Sequence, residues 1–514
     1  MQKLEADVAI IGAGLGGAAA ALAACDAGRT VVLTEPTDWV GGQITSQGVS
    51  ALDEHEHIEH FGGTRAYLAM RDAIRRHYAT QYSVAHMPNS APLNPGDGWV
   101  SRLCFEPRVG LRVLQDMLAP HVAGGRLTLL LQHEPVAAMA EDGRVVSVLM
   151  QTKDSDACEI HAQYFLDATE LGDLLPLTRT AYVTGAESRL DTKEADALPQ
   201  PEPRMIQGFT FPFAVEYCAG ESHAIEKPAD YERMRDEQPY TLVLKHKDGS
   251  PRPFKMFDAG EVGLPFWTYR RLLSAQLLDP HGTHGLRDVA MINWNSNDYH
   301  WRSIIDVTHA ERDEILDEAK RLSLGFLYWL QTDCPRDDGG FGYPELKLRP
   351  DVMGTADGLS KAPYIREARR IVALKRIVAH DILAASRPGA KQAAFEDSVG
   401  VGWYPMDLHP AVGNAKSLFE PTLPFQIPLG ALIPVKTQNL IAANKNIGTT
   451  HLSNGSYRLH PVEWNMGESA GVLAALCCEA GVAPRAVRES PALLAQLQDR
   501  LRERGIPLNW DAVM

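Results

Sequence analysis

The sequence predicts an α/β fold built on a parallel sheet, and four adjacent stretches predict it. Residues 8–11 are a short, β-branched apolar run, which is how a buried parallel strand reads. A glycine turn follows at once, Gly12-Ala13-Gly14-Leu15-Gly16-Gly17, and then an alanine-rich stretch to about residue 27. That stretch reads as a helix, with Gly28 at its C-terminal cap. Residues 30–34 read as a second strand, ending on Glu35.

Each part of this β-turn-α-β start has a physical task. Gly12 permits the tight turn, Gly14 lets backbone approach a pyrophosphate, and Gly17 lets the helix pack on the strand. Leu15 and Gly16 stand at the helix start, where free N–H groups receive phosphates. Glu35 follows Gly17 by 18 residues, where a carboxylate can accept hydrogen bonds from a ribose. The order predicts a Rossmann-like dinucleotide site but does not choose between NAD and FAD.

Composition narrows the class. A chain of 514 residues is too long for one small core, so two domains are expected. There is no apolar run of about twenty residues and no basic leader with a cleavage site. A cytoplasmic protein without membrane insertion is therefore expected. The net charge of −15 speaks against a nucleic-acid face, because phosphate binding is largely electrostatic. Seven cysteines are scattered without a CxxC pair, and vicinal Cys477-Cys478 lie in an Ala/Leu-rich helical stretch. Such usage predicts free thiols, not a disulfide framework or metal site.

Along the chain, 48–63 carries His55, His57 and His60 among Asp53, Glu54, Glu56 and Glu59. No helical i, i+4 histidine pair with an outer ligand is evident, so a solvated acidic loop is expected and no metal. A charged amphipathic helix is expected over 64–78, a Pro/Gly loop over 89–99, and a helix over 106–118. Strands are expected at 127–131, 145–150 and 164–166, around a turn at Asp142-Gly143. In the middle, 209–217 and 240–245 read as strands, and 310–331 and 367–385 as helices. The stretch 291–300 is polar and aromatic, which suits a pocket wall, with Asn297 and Tyr299 as candidate substrate contacts. Arg366, Arg369 and Arg370 form a basic cluster: either ion pairing on a helix face or, through Arg366, a clamp for a substrate carboxylate or phosphate. Residues 438–444 read as a short buried strand, and a helix is expected from Pro461, a favoured first-turn residue, to about 480.

Two further blocks point to the cofactor. The segment WVGGQITSQG (39–48), directly after the ribose acid, resembles the double-glycine motif of FAD enzymes of the glutathione-reductase type. In that family it runs along the pyrophosphate and ribityl chain toward the isoalloxazine ring, which implies Gly41, Gly42, Gln43, Thr45, Ser46, Gln47 and Gly48 as FAD contacts. Together with PYIREARRI, NLIAANKN and THLSNGSYRLHP…GESAG, the chain resembles the FAD-dependent oxidoreductase family distantly akin to fumarate reductase and succinate dehydrogenase flavoproteins. The resemblance covers nearly the whole length, in patches through the middle. It implies a glutathione-reductase-type FAD domain (1–180 and 391–485) with an inserted α+β substrate domain (181–390) and a helical tail (486–514). It also implies FAD contacts at Pro36, Val136, Ala168, Thr169, Asn444, Arg458 and Gly467. Glu170 stands where the family often has Gly, Lys445 where Arg is common, and Glu468 where Gln is usual. No histidine lies in GGQITSQG, where the succinate dehydrogenase relatives attach FAD covalently, so non-covalent FAD is implied.

Such an enzyme moves a hydride between a small organic substrate and flavin N5, with a base beside it. Without the dithiol of the glutathione-reductase enzymes, electrons pass directly between flavin and substrate. His451, Tyr457, Arg458 and His460 cluster before the late helix, with His451 or His460 as acid/base and Arg458 holding charge. His55 and His57, following the flavin-facing segment, are candidate substrate contacts. A flavin-dependent RNA-modifying enzyme would show a basic face, and an NAD dehydrogenase would not need the late blocks. A flavoprotein with purely structural FAD is the third reading. The sequence names neither the substrate nor the electron acceptor, and leaves room for a homo-oligomer.

Overall fold

The computed structural model describes residues 2–85, 91–245 and 250–513. Strand β1 (Gln2–Ile11), helix α1 (Leu15–Asp26) and β2 (Val31–Glu35) build the start of a seven-stranded sheet. Its other early members are β3 (Leu127–Leu131), β4 (Glu134–Glu141), β5 (Arg144–Gln151) and β6 (Ala157–Asp167). Strands β3, β2, β1 and β6 run parallel in that order. The first half of β6 carries the antiparallel β5–β4 hairpin, and its last residues pair with β7 (Leu440–Ala442) in parallel. The late part of the chain thus returns to the sheet beside the glycine turn.

Helix α1 is buried along almost its whole length because its side chains are nearly all small or apolar. Helices α2 (Arg65–Gln81) and α3 (Pro107–Ala123) follow the expected periodicity, Thr64 capping the first by accepting from the Tyr67 N–H at 3.1 Å. A second apolar cluster is richer in aromatics, including Phe213, Trp294, Tyr299 and Phe326. It joins α4 (His309–Thr332) to a four-stranded antiparallel sheet of Arg271–Leu273, Val289–Ile292, Phe213–Tyr217 and Leu346–Leu348.

Near the C-terminus, α5 (His451–Tyr457) and α6 (His460–Ala480) are consecutive, and α7 (Pro491–Arg504) closes the chain. A Cβ on Gly467 would overlap the Gly16 carbonyl, so α6 lies this close to α1 only because Gly467 lacks a side chain.

Several expectations change. The 367–385 stretch is not a helix; it runs extended, with a short strand at Arg370–Ile371 and one helical turn at Ala379–Ile382. Its backbone bonds go to other segments, for example the Leu374 N–H to the Ile433 carbonyl at 3.0 Å and the Ile377 N–H to the Gly448 carbonyl at 2.8 Å. Helical periodicity was overridden by tertiary partners. The expected strand over 209–217 divides into Phe209–Thr210 and Phe213–Tyr217 around Pro212, which has no N–H to donate. Strand β4 and helix α5 were not anticipated. Of the 89–99 loop, residues 89 and 90 lie outside the described residues. All seven cysteines are free, six of them buried. Among the described residues no helix is long and apolar enough to cross a membrane.

Candidate active site

The glycine turn forms a cradle at the start of α1. Gly12, at φ +101°, lies against Ala168, and Gly16 lies against the Ala443 carbonyl, so neither position has room for a Cβ. The Ala13 N–H donates to Glu35 Oε2 at 3.2 Å, while Thr37 Oγ1 donates to Glu35 Oε1 at 2.8 Å. Burial pushes the Glu35 carboxyl up to about 8 despite the Thr37 bonds. Gly42, at φ +48°, brings the double-glycine segment to within a side chain's width of Gly14. Asn444 Nδ2 donates to the Ala168 carbonyl at 3.1 Å, which holds the end of β7 beside the end of β6.

Three charges stand at this cradle. Glu463 Oε1 accepts from the Gly16 N–H at 3.2 Å, and its Oε2 accepts from Gln43. Lys445 pairs with Glu170 and lies 3.5 Å from Glu463. Gln43 Oε1, Gln47 Nε2 and Glu170 Oε1 are buried polar atoms with no partner among the described residues. A backbone cradle on a helix N-terminus, a ribose-length acid and unsatisfied amide groups fit a dinucleotide with a polar linker.

Beyond the cradle lies a buried polar and aromatic cluster. Gln43 Nε2 donates to the Arg458 carbonyl at 3.0 Å, which ties the two regions together. Arg458 reaches Asp407 Oδ2 at 3.1 Å and the Tyr364 hydroxyl at 3.3 Å. Arg270 donates to Asp53 Oδ1 at 3.1 Å and to the Ala51 carbonyl at 2.9 Å. His409 Nδ1 lies 2.6 Å from Asp298 Oδ2, and its Nε2 is 3.5 Å from Asp407. Arg366 holds the other Asp298 oxygen at 2.8 Å. Burial alone would raise the Asp407 carboxyl, but His409 and Arg458 hold it at about 2. Burial raises both Tyr364 and Tyr404, which therefore stay neutral O–H donors. The Nε groups of Arg270 and Arg458 are buried without a partner among the described residues.

The residues expected from sequence divide into three groups. The cofactor set (Gly12, Gly14, Leu15, Gly16, Gly17, Glu35, Gly41, Gly42, Gln43, Thr45, Ser46, Gln47, Gly48, Ala168, Thr169, Asn444, Arg458, Gly467) is buried together, whereas Pro36 and Val136 are exposed. His460 lies beside the cluster, but its Nδ1 accepts from the Asp53 N–H at 3.0 Å and its Nε2 lies 3.1 Å from the Val49 carbonyl. Burial lowers it to about 4, so it is neutral. His451 faces Glu367 at 2.9 Å, and Tyr457 donates to the Gln426 carbonyl at 2.8 Å.

The third group, the substrate contacts expected from sequence, is held by other partners. Asn297 accepts from the Trp294 N–H at 2.9 Å, and Tyr299 bonds Glu318 in the aromatic core. Side chains alternate along Asp298–Tyr299, so the residue between the two candidates is the one that meets Arg366 and His409. His55 and His57 stack with Trp403, and His55 also meets Trp510 edge-on at 5.1 Å. Their loop is not a solvated acidic one: Glu54 and Glu59 turn inward onto Arg71, at 2.9 and 2.5 Å. The three arginines of 366–370 are each paired internally, Arg369 with Asp173 and Asp306, Arg370 with Glu187 and Glu367. Among the described residues, a metal-like grouping occurs at Cys218, Glu221 and His223, where Arg287 already donates to Cys218 Sγ at 2.9 Å.

Asp407, His409, Arg270 and Tyr404 were missed from sequence. A signal existed for Asp407: it alternates with buried Met406 and Leu408 in a short strand, which sends it to the other face.

The cradle and the polar cluster are carried on a Rossmann-like α/β fold. The profile of the family described as FAD dependent oxidoreductase matches residues 7–501, and the chain belongs to that family. No curated protein matches it. Among solved structures it resembles an L-proline dehydrogenase from P. horikoshii (15% identity, 37% of this chain and 25% of that one, TM-score 0.19). It also resembles a mutated quinol fumarate reductase FrdA from E. coli (12%, 98% and 74%, TM-score 0.35). A third is Sdh1 from Mycobacterium smegmatis in complex with UQ1 (12%, 98% and 78%, TM-score 0.33). The chain spans a quarter of the length of the first of these.

Proposed function

We propose that this enzyme oxidises or reduces a small polar organic molecule held in the cluster of Arg270, Arg458, Tyr364 and Tyr404, with FAD bound non-covalently along the Gly12–Gly17 cradle. When bound, FAD takes up or returns the electron pair, as a hydride at flavin N5. One observation carries the choice of substrate site: the unpartnered Nε groups of Arg270 and Arg458 flank one cluster, both in electrostatic reach of Asp53, Tyr364 and Tyr404. A buried donor without an acceptor is costly, and a substrate oxygen would satisfy it. Two guanidiniums facing neutral tyrosines suit a carboxylate or hydroxy-acid oxygen.

In this reading Gly12, Gly14 and Gly16 let the cofactor approach the backbone, Glu35 holds the ribose, and Gln43 and Gln47 meet its polar linker. Arg458 and Arg270 orient the substrate. His409 holds or releases the proton at Nε2, because Asp298 fixes its Nδ1 and Asp407 connects it to Arg458. His451 and His460, the histidines favoured by sequence, are bound to Glu367 and to backbone groups respectively. The division into an FAD domain, an inserted substrate domain over 181–390 and a helical tail belongs to the same proposal, as does a cytoplasmic setting.

The test is an anaerobic screen of hydroxy acids, amino acids and dicarboxylates for bleaching of the flavin absorption. With a substrate found, Arg270→Gln and Arg458→Gln should retain FAD yet lose reduction by about a hundredfold. Unchanged reduction in both variants removes this substrate site.

A further inference from the structure

The charges at the cradle have a consequence for how the cofactor is seated, which rests on the FAD reading above. The first turn of α1 offers its N–H groups to an anion, and Glu463 already holds the one on Gly16. Glu170 approaches the same place from β6's end: a Cβ on Gly14 would lie 2.5 Å from its Oε1, and one on Gly42 would lie 2.7 Å away. Lys445 stands between the two carboxylates, fully buried. A dinucleotide diphosphate brought to Gly14–Gly16 therefore meets two carboxylates and a single ammonium. Gln43 Oε1 and Gln47 Nε2, both on residues no more than 1% exposed, point into the same buried tract without partners.

We propose that Glu170, Glu463 and Lys445 form a proton-coupled lock on the cradle: FAD seats by displacing Glu463 from the Gly16 N–H, one proton is taken up by the carboxylate pair, and Lys445 becomes the counter-ion of the diphosphate. The stoichiometry is one proton in and one FAD in, with no bond made or broken to the cofactor. The sign follows from electrostatics. An anion placed beside a carboxylate raises that carboxyl's pKa, so the FAD-bound form holds more protons, and FAD affinity falls as pH rises. Burial already raises the Glu463 carboxyl, and Lys445 opposes it. Among the described residues, the triad's charged or titratable neighbours include Glu35 of β2, beside Glu170, and Tyr364, beside Lys445. Glu35 meets the ribose in this reading and is electrostatically coupled to Glu170, so the profiles of the glutamine variants, and not the wild-type slope alone, identify the triad.

The experiment uses the purified holoprotein, diluted at a series of pH values, with released FAD read by its fluorescence. Between about pH 6 and about pH 9 the Kd for FAD should rise by about tenfold. Glu463→Gln should bind FAD more tightly at the high end and flatten the profile. Glu170→Gln, whose side chain is less buried, provides the same readout should Glu463→Gln fold poorly. Lys445→Met should weaken FAD by about tenfold or more at every pH. A wild-type Kd that does not change with pH, or a profile that persists unaltered in both glutamine variants, overturns the proposal. Failure of the wild type to hold or take up FAD at any pH would instead overturn the cofactor reading on which it rests.

Discussion

The cradle and the Arg–Asp–Tyr cluster are tied by the bond from Gln43 to the Arg458 carbonyl, yet they are made of different parts of the polypeptide. The cradle is a backbone object. Its shape comes from Gly12, Gly14, Gly16 and Gly42, and from small residues of the returning strand and of α6 that approach without side chains. The cluster is a side-chain object, assembled from residues 53, 270, 298, 364, 407, 409 and 458, none adjacent in sequence. A backbone site fails when a side chain is added, whereas a side-chain site fails when a partner is removed.

That contrast can be broken in order of size. The largest effect is expected for Gly467→Val, which drives a branched side chain into the Gly16 backbone. A loss of about 3 kcal/mol or more is expected, with little soluble flavoprotein. A parent-like melting temperature and full flavin content would show that the α1–α6 contact yields easily.

Next comes Asp298→Asn, which leaves the buried Arg366 and His409 without their shared carboxylate. About 3 kcal/mol of stability should be lost in chemical denaturation, with FAD content retained. Loss of FAD together with stability would mean that cluster and cradle are one cooperative unit. The same network predicts acid sensitivity. Burial alone would raise the Glu367 carboxyl, but His451 and Arg370 hold it at about 2. It therefore contributes stability that is present above the ordinary carboxylate value of about 4.3 and is lost as pH falls toward about 2. Melting temperatures measured across that window should fall, and less steeply in Glu367→Gln.

A smaller effect, of opposite sign, is expected at Glu35. Its folded carboxyl is raised to about 8, so the stability it contributes is present below the ordinary value and is lost as pH rises toward about 8. Glu35→Gln should raise cofactor-free stability at about pH 8 by 1–2 kcal/mol while weakening FAD binding. Stability and affinity moving together would remove its assignment to the ribose. The smallest change is expected for His55→Phe. Both ring nitrogens of His55 are buried without partners among the described residues, and its ring packs on Trp510. A gain of up to about 1 kcal/mol is expected in thermal melts, with flavin content unaltered.

Much of the cradle was legible because its chemistry is local. Gly12 to Gly17, Glu35 and 41–48 are contiguous, and their residue types are demanded by turn geometry and phosphate approach. The cluster was legible only in part. Arg458 was found from a motif, but Asn297 and Tyr299 were chosen on either side of Asp298, because a two-residue strand gives too little alternation to fix its faces. His451 and His460 were favoured for their neighbourhood in sequence, while His409 comes from a segment with no motif of its own. The helix expected over 367–385 failed for the same reason. Its apolar spacing suits a helix, yet its backbone groups find partners at Gly430, Ile433 and Gly448, and Arg370 pairs with Glu187 and Glu367.

The sequence by itself determined the parallel α/β start, its glycine turn and the family, since these depend on short-range backbone constraints that a few residues specify. Only the tertiary structure decided which arginines face which acids, which histidine sits between Asp298 and Asp407, and that Glu170, Lys445 and Glu463 meet at the start of α1. Those contacts join residues up to several hundred positions apart. Their energies depend on burial and distance, which no local pattern of residues encodes.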